Sequence, residues 1–123
     1  MENLVLQVKH ENWGLIGPGS WSSTTWKIYG DLKMEVTING AKPETKQLKI
    51  SQKDFDFIQK YLKEAKQEII DIDALDGSAW EFKQYQGKSL VWEREMGYIY
   101  GFKPLEIIGH YLYKISNLKR IVE

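Results

Sequence analysis

Two imidazoles, His10 and His110, are the only side chains in the sequence that change charge near neutral pH without help from their surroundings. Joined by a carboxylate they could form an acid–base or metal site. They stand near opposite ends of the chain, so they meet only if the first strand and the last helix are neighbours. With no cysteine, there is no thiolate nucleophile, no disulfide framework and no cysteine-ligated zinc. Ser20, Ser22 and Ser23 lack the Gly-x-Ser-x-Gly frame of a nucleophile elbow. Asp71, Asp73 and Asp76 precede Gly77, but a calcium loop counted from Asp71 needs glycine sixth and glutamate twelfth, where Asp76 and Phe82 stand. Asp76, Glu81, Glu93 and Glu95 could supply a carboxylate pair for glycoside hydrolysis, although spacing alone does not select them. A solvated, turn-forming acidic loop is the simpler reading of 71–76.

The segment Trp13-Gly14-Leu15-Ile16-Gly17-Pro18-Gly19-Ser20-Trp21 invites comparison with a phosphate-binding loop. Such a loop needs a lysine to reach the phosphates and a helix whose first amides complete the cradle. Here the following residues alternate as a strand, and no lysine is in place. Aromatic residues beside glycines, outside clean amphipathic patterns, are available for contacts. Trp13, Trp21, Tyr98 and Tyr100 are such residues, with Phe102 beside them. Together with His10 and His110 they form the candidate ligand- or partner-contact set, although most of these aromatics are expected in the core. No catalytic residue, metal ligand set or cofactor motif is assigned. Tyr100-Gly101-Phe102 echoes an RNA-binding strand but lacks its basic-glycine start.

Two periodicities describe the elements that must position these residues. Leu4, Leu6 and Val8 share one parity, as do Thr24, Trp26 and Ile28, and Leu32, Met34, Val36 and Ile38. A period of two with polar partners predicts strands with one dry face. Tyr29-Gly30-Asp31 supplies the turn between the second and third strands. Leu48 and Ile50 predict a short fourth strand. Ser51 and Asp54 then stand as a capping box, with aspartate where glutamate is usual. Phe55, Ile58, Leu62, Ala65 and Ile69 follow at helical spacing, giving a helix of about four to five turns. Asp71 to Gly77 breaks that pattern. Trp80 and Phe82, then Leu90 and Trp92, predict a hairpin around Gln86-Gly87. Met96 to Phe102 reads either as strand extension or as loop. Pro104 suits the first turn of a closing helix, whose stripe is Leu105, Ile108, Leu112 and Ile115. The expected fold is α+β in the order β-β-β-(β)-α-β-β-α: one domain over 1–123, a twisted antiparallel sheet of about five to six strands with both helices on one face.

Bulk properties narrow the function classes. A chain of 123 residues favours a single domain with one core. Seventeen basic residues balance seventeen acidic ones, so no long-range field favours a polyanion, and a nucleic-acid role is disfavoured. Arg94 and Arg120 are the only arginines, which weakens any bidentate phosphate reading. Met1 to His10 shows no basic cluster followed by a long apolar run, and no apolar run approaches a membrane span. A cytoplasmic protein without membrane contact is expected.

Gly19-Ser20 before an aromatic strand ending in Gly30-Asp31, the Ser51-x-x-Asp54-Phe55 helix start, and Asp76-Gly77-x-x-Trp80 together resemble small bacterial α+β domains of unknown function. That resemblance implies no catalytic residues. The expected role is a non-enzymatic interaction or binding protein, for instance an accessory or immunity-like protein that blocks a protein partner, and a homodimer is compatible with the sequence. The alternative is a small-molecule binder or minor enzyme with an aromatic pocket between sheet and helices, lined by Trp13, Trp21, Trp80, Trp92 or Tyr98.

Overall fold

The computed structural model describes residues 3–12, 22–39, 44–67, 78–96 and 103–116. Alternating residues form six strands, β1 (Leu4–Asn12), β2 (Ser22–Tyr29), β3 (Lys33–Asn39), β4 (Glu44–Lys49), β5 (Ser78–Gln86) and β6 (Ser89–Met96). Helix α1 (Gln52–Lys66) lies between β4 and β5, and α2 (Lys103–Ile115) follows β6. The strands make one antiparallel sheet in the order β4-β3-β2-β1-β5-β6. Successive antiparallel pairing leaves β4 and β5 pointing the same way, so α1 must carry the chain across a face of the sheet from its β4 edge to the far side of β1. The α+β class and element order expected from the sequence are therefore present.

Period-two burial separates the two faces. Leu6 and Val8 on β1, Trp26 and Ile28 on β2, Met34 and Val36 on β3, and Trp80 and Phe82 on β5 are buried on the inner face. Against them pack Ile58, Leu62 and Ala65 of α1 and Leu105, Ile108 and Leu112 of α2. Phe55 and Ile115 are half-buried at the margin. The opposite parity carries Lys9, Glu11, Lys27, Glu35, Glu81 and Lys83, half-buried by one another on the outer face. Removing the inner apolar surface from water, at roughly 25 cal/mol per Å², is the main force holding the layers together.

Local chemistry ends each element where the fold needs it. Ser51 and Asp54 form the reciprocal capping box: Asp54 N donates to Ser51 Oγ at 3.0 Å, and Ser51 N donates to Asp54 Oδ2 at 3.2 Å. Two further details differ from simple alternation. Leu32 is not the first residue of β3; it sits in the β2–β3 turn with φ 70, and Lys33 begins the strand. Asp31 makes this tolerable: its Oδ1 accepts Lys33 N at 3.3 Å, and Leu32 O accepts Ile50 N at 2.9 Å. In the second hairpin Gln84 pairs with Trp92 but Tyr85 pairs with Leu90, so β6 holds one extra residue. Leu90 therefore does not share Trp92's face; Leu90 and Val91 stand 45% and 49% exposed while Trp92 packs against the core.

Candidate binding surface

His10 ends the inner-facing series on β1 and is 7% exposed. Its ring stacks on Trp80, its pairing partner on β5, with centroids 4.0 Å apart and planes at 10°. Its Nδ1 lies 2.7 Å from the Tyr113 hydroxyl on α2. Trp26 lies parallel to Trp80 at 6.3 Å and meets Tyr113 edge-on at 4.9 Å. Trp26 Nε1 donates to Ser116 Oγ at 3.2 Å, and Ser116 donates onward to the Leu112 carbonyl. The buried Nδ1 of His10, Nε1 of Trp26 and Oγ of Ser116 thus each meet a partner, as burial demands. The arrangement locks β1, β2 and β5 to α2.

His110 lies in a different environment. It is exposed on α2, and its Nε2 stands 3.8 Å from Glu106 Oε2, one helical turn back. The structure thus places one histidine in the aromatic core and the other on the outer side of the helix layer. Trp13, Trp21, Tyr98, Tyr100, Phe102 and the aspartates 71, 73 and 76 fall outside the described residues. Of the remaining carboxylates singled out for glycoside hydrolysis, Glu81 and Glu95 face each other across β5–β6 and Glu93 pairs with Lys83. A hydrogen bond that the protonated Glu95 carboxyl donates to Glu81, and then the Glu81 charge, push Glu95 above the usual range. Among the described residues no group of three His, Asp or Glu is placed to hold a metal ion.

A concavity of about 320 Å³ opens where His110 stands. Phe57 of α1 forms one wall; Lys103, Glu106, Ile107, His110, Tyr111 and Lys114 of α2 form the rest. Helical geometry explains the grouping, because residues three and four apart share a face. Ile107 and Tyr111 flank the buried Leu105–Ile108–Leu112 stripe, and Lys103, His110 and Lys114 lie further round the helix. Phe57 stacks on Tyr111 with centroids 4.1 Å apart and planes at 22°, and Tyr61 leans on Phe57 at 4.9 Å. Lys60 Nζ lies 5.4 Å from the centre of the Tyr61 ring.

Tyr111 is fixed further by donating its hydroxyl proton to Asp54 Oδ1, the carboxylate that also caps α1. The bond affects both groups. It holds the Asp54 carboxyl below its ordinary range, with help from Ser51 and Lys53 and against partial desolvation. It raises the Tyr111 phenol to about 12, with desolvation and the Asp54 charge acting in the same direction. Neither His10 nor Tyr113 is in this surface, and its aromatic floor was not singled out from the sequence. The available signal was an apolar Ile107–Tyr111 pair one turn apart beside a stripe already complete, and Phe57 between two positions of the α1 stripe, Phe55 and Ile58.

No protein-family model matches the chain, and no curated protein matches it in sequence. No described helix is long and apolar enough to cross a membrane.

Proposed function

We propose that the protein is a non-enzymatic binding protein that engages a protein partner through the α1–α2 groove. One observation carries this reading: a preorganised aromatic floor, Phe57 on Tyr111, stands open on the outer side of the helix layer with lysines at both ends of α2. Rigid aromatics with polar rims are the usual anchors of interfaces, because they bury large area and lose little rotamer freedom. Lys103 and Lys114 favour a partner segment that sets an aliphatic or aromatic anchor between carboxylates. An accessory or immunity-like role, in which the groove occludes a partner's own working surface, is the form of this function we favour.

The test is site-specific crosslinking in native cells with a photo-reactive side chain in place of Ile107, compared with the same group in place of Lys27 on the outer sheet face. The reading expects one discrete adduct from position 107 that disappears when Lys103→Glu and Lys114→Glu are added. Equal labelling from both positions, or none from position 107, would overturn it. Thermal stabilisation by small molecules with no protein adduct would instead support a ligand-binding pocket.

A further inference from the structure

The sheet has two edges, and they are unlike. At the β4 edge Lys46 and Lys49 lie along a short strand, the usual means of keeping an edge from pairing. At the β6 edge Leu90 and Val91 are the large apolar residues most exposed among those described, and Glu93 and Glu95 are exposed further along. No described strand pairs with the outer side of β6. The extra residue in β6 turns Leu90 to the same face as Tyr85, its pairing partner. The outer face at this edge therefore runs from an apolar end (Tyr85, Leu90, Val91) to an acidic end (Glu93, Glu95, and Glu81 on β5).

At the acidic end Lys83 stands opposite Glu93 and Lys9 opposite Glu81, so like charge meets at the Glu81–Glu95 pair. Glu95 stands opposite Glu81, whose only ion-pair partner among the described residues is Lys83 at 3.6 Å. Directly opposite like charges destabilise a ladder, and opposite charges stabilise it. A strand laid beside β6, about 4.8 Å away, would bring its outer-face side chains against Glu93 and Glu95.

We propose that β6 is a docking edge for an extended, lysine- or arginine-bearing segment of a partner protein, which adds antiparallel to the sheet. Backbone pairing supplies the affinity common to strand addition, and side-chain alternation supplies the register. Basic residues two apart in the segment stand opposite Glu95 and Glu93, and an apolar residue two further on covers Leu90 and Val91. A second copy of this chain fits less well. A two-fold register centred on Arg94 or Glu93 sets carboxylate against carboxylate, and one shifted towards Ser89 must pair through the irregular Leu90–Val91 region. This edge is separate from the helical groove, and its occupancy does not depend on the groove's function.

The experiment titrates the full ¹⁵N-labelled chain with the capped peptide Thr-Lys-Thr-Lys-Thr-Val-Thr-Val and follows amide shifts and amide hydrogen exchange. The expected result is perturbation and slowed exchange confined to Ser89–Met96 and the adjoining part of β5. Binding should weaken as salt rises from about 50 to about 500 mM. Glu93→Lys combined with Glu95→Lys should weaken it by about tenfold or more, whereas Ile107→Asp in the groove should leave it unchanged. A peptide with glutamate in place of both lysines should give no β6 perturbation. The proposal is overturned if the two peptides act alike, if the shifts map to α1 and α2, if β6 does not respond, or if β6 amides shift with protein concentration alone, which would identify a second copy as the occupant.

Discussion

The Nδ1 of His10 lies 2.7 Å from the hydroxyl of Tyr113, a buried contact that joins β1 to α2 across 103 positions of sequence. His10 is already held against Trp80 by ring stacking, so the hydrogen bond fixes the rotation of α2 over the sheet more than the place of the imidazole. Tyr113→Phe removes the hydroxyl and keeps the ring packed against Trp26. A typical net hydrogen bond contributes about 1 kcal/mol, and that loss is expected in urea unfolding. A change within error would show that the bond is not made in solution.

Leu62 and Trp80 test the assignment of the dry face from its two sides, helix and strand. Leu62 is fully buried on α1, and Trp80 lies in the row that includes His10, Trp26 and Phe82. Leu62→Ala and Trp80→Ala are each expected to destabilise by about 2–5 kcal/mol, because truncation loses transfer energy and leaves a cavity that neighbours only partly fill. Denaturant melts with losses under about 1 kcal/mol would place either residue outside the packed interior.

The architecture was legible because its signals are local and repeated. Leu6–Val8, Trp26–Ile28, Met34–Val36 and Leu105–Ile108–Leu112 state which side is dry without reference to anything distant, and Ser51 with Asp54 marks the start of α1 to the residue. The candidate surface was less so. Phe57 and Tyr111 are 54 positions apart, and their meeting follows from how two helices lie side by side, which neither helix's own pattern encodes. Asp54 was legible as a cap but not as the acceptor of Tyr111, since the second role uses a lone pair the first leaves open. The misreading at Leu90 has a local cause: period-two reasoning assumes an unbroken ladder, and the one residue inserted in β6 reverses the parity between Trp92 and Leu90. Leu32 packs against the core as its parity implied, but in a left-handed turn conformation just ahead of β3.

Gly87 opens the two-residue connection between β5 and β6 with φ 63, the pattern of a II′-type hairpin. A Cβ there would meet nothing within 4 Å, so a side chain is opposed by backbone conformation and not by crowding. Gly87→Ala should therefore cost about 1–2 kcal/mol, the usual penalty for an L-residue in the left-handed region. Gly87→Asn should cost less, since asparagine is among the residues that occupy the positive-φ positions of such turns. Thermal melts of both variants check the order; equal losses would point to a steric cause.

Asp54 and Tyr111 make the helix pair sensitive to pH at both extremes. Asp54 has a folded pKa below its ordinary 3.8, so its contribution is present above about pH 4 and is lost as pH falls through the folded value. Tyr111 has a folded pKa of about 12 against an ordinary 10.0, so its contribution is complete below pH 10 and is lost as pH rises towards 12. Between those limits the phenol donates and the carboxylate accepts. Tyr111→Phe keeps the stack on Phe57 and removes the donor, while Ser51 and Lys53 still act on Asp54. Urea midpoints of the native protein and Tyr111→Phe should differ by a constant amount from about pH 5 to about pH 9, with the native chain more stable. The gap should narrow below about pH 4, where the unfolded chain takes up a proton that the bonded Asp54 resists, and again above about pH 10, where the unfolded phenol loses a proton that the folded one keeps to about pH 12. A gap that stays constant through both limits would mean that the Tyr111 hydroxyl stabilises the fold through some other contact.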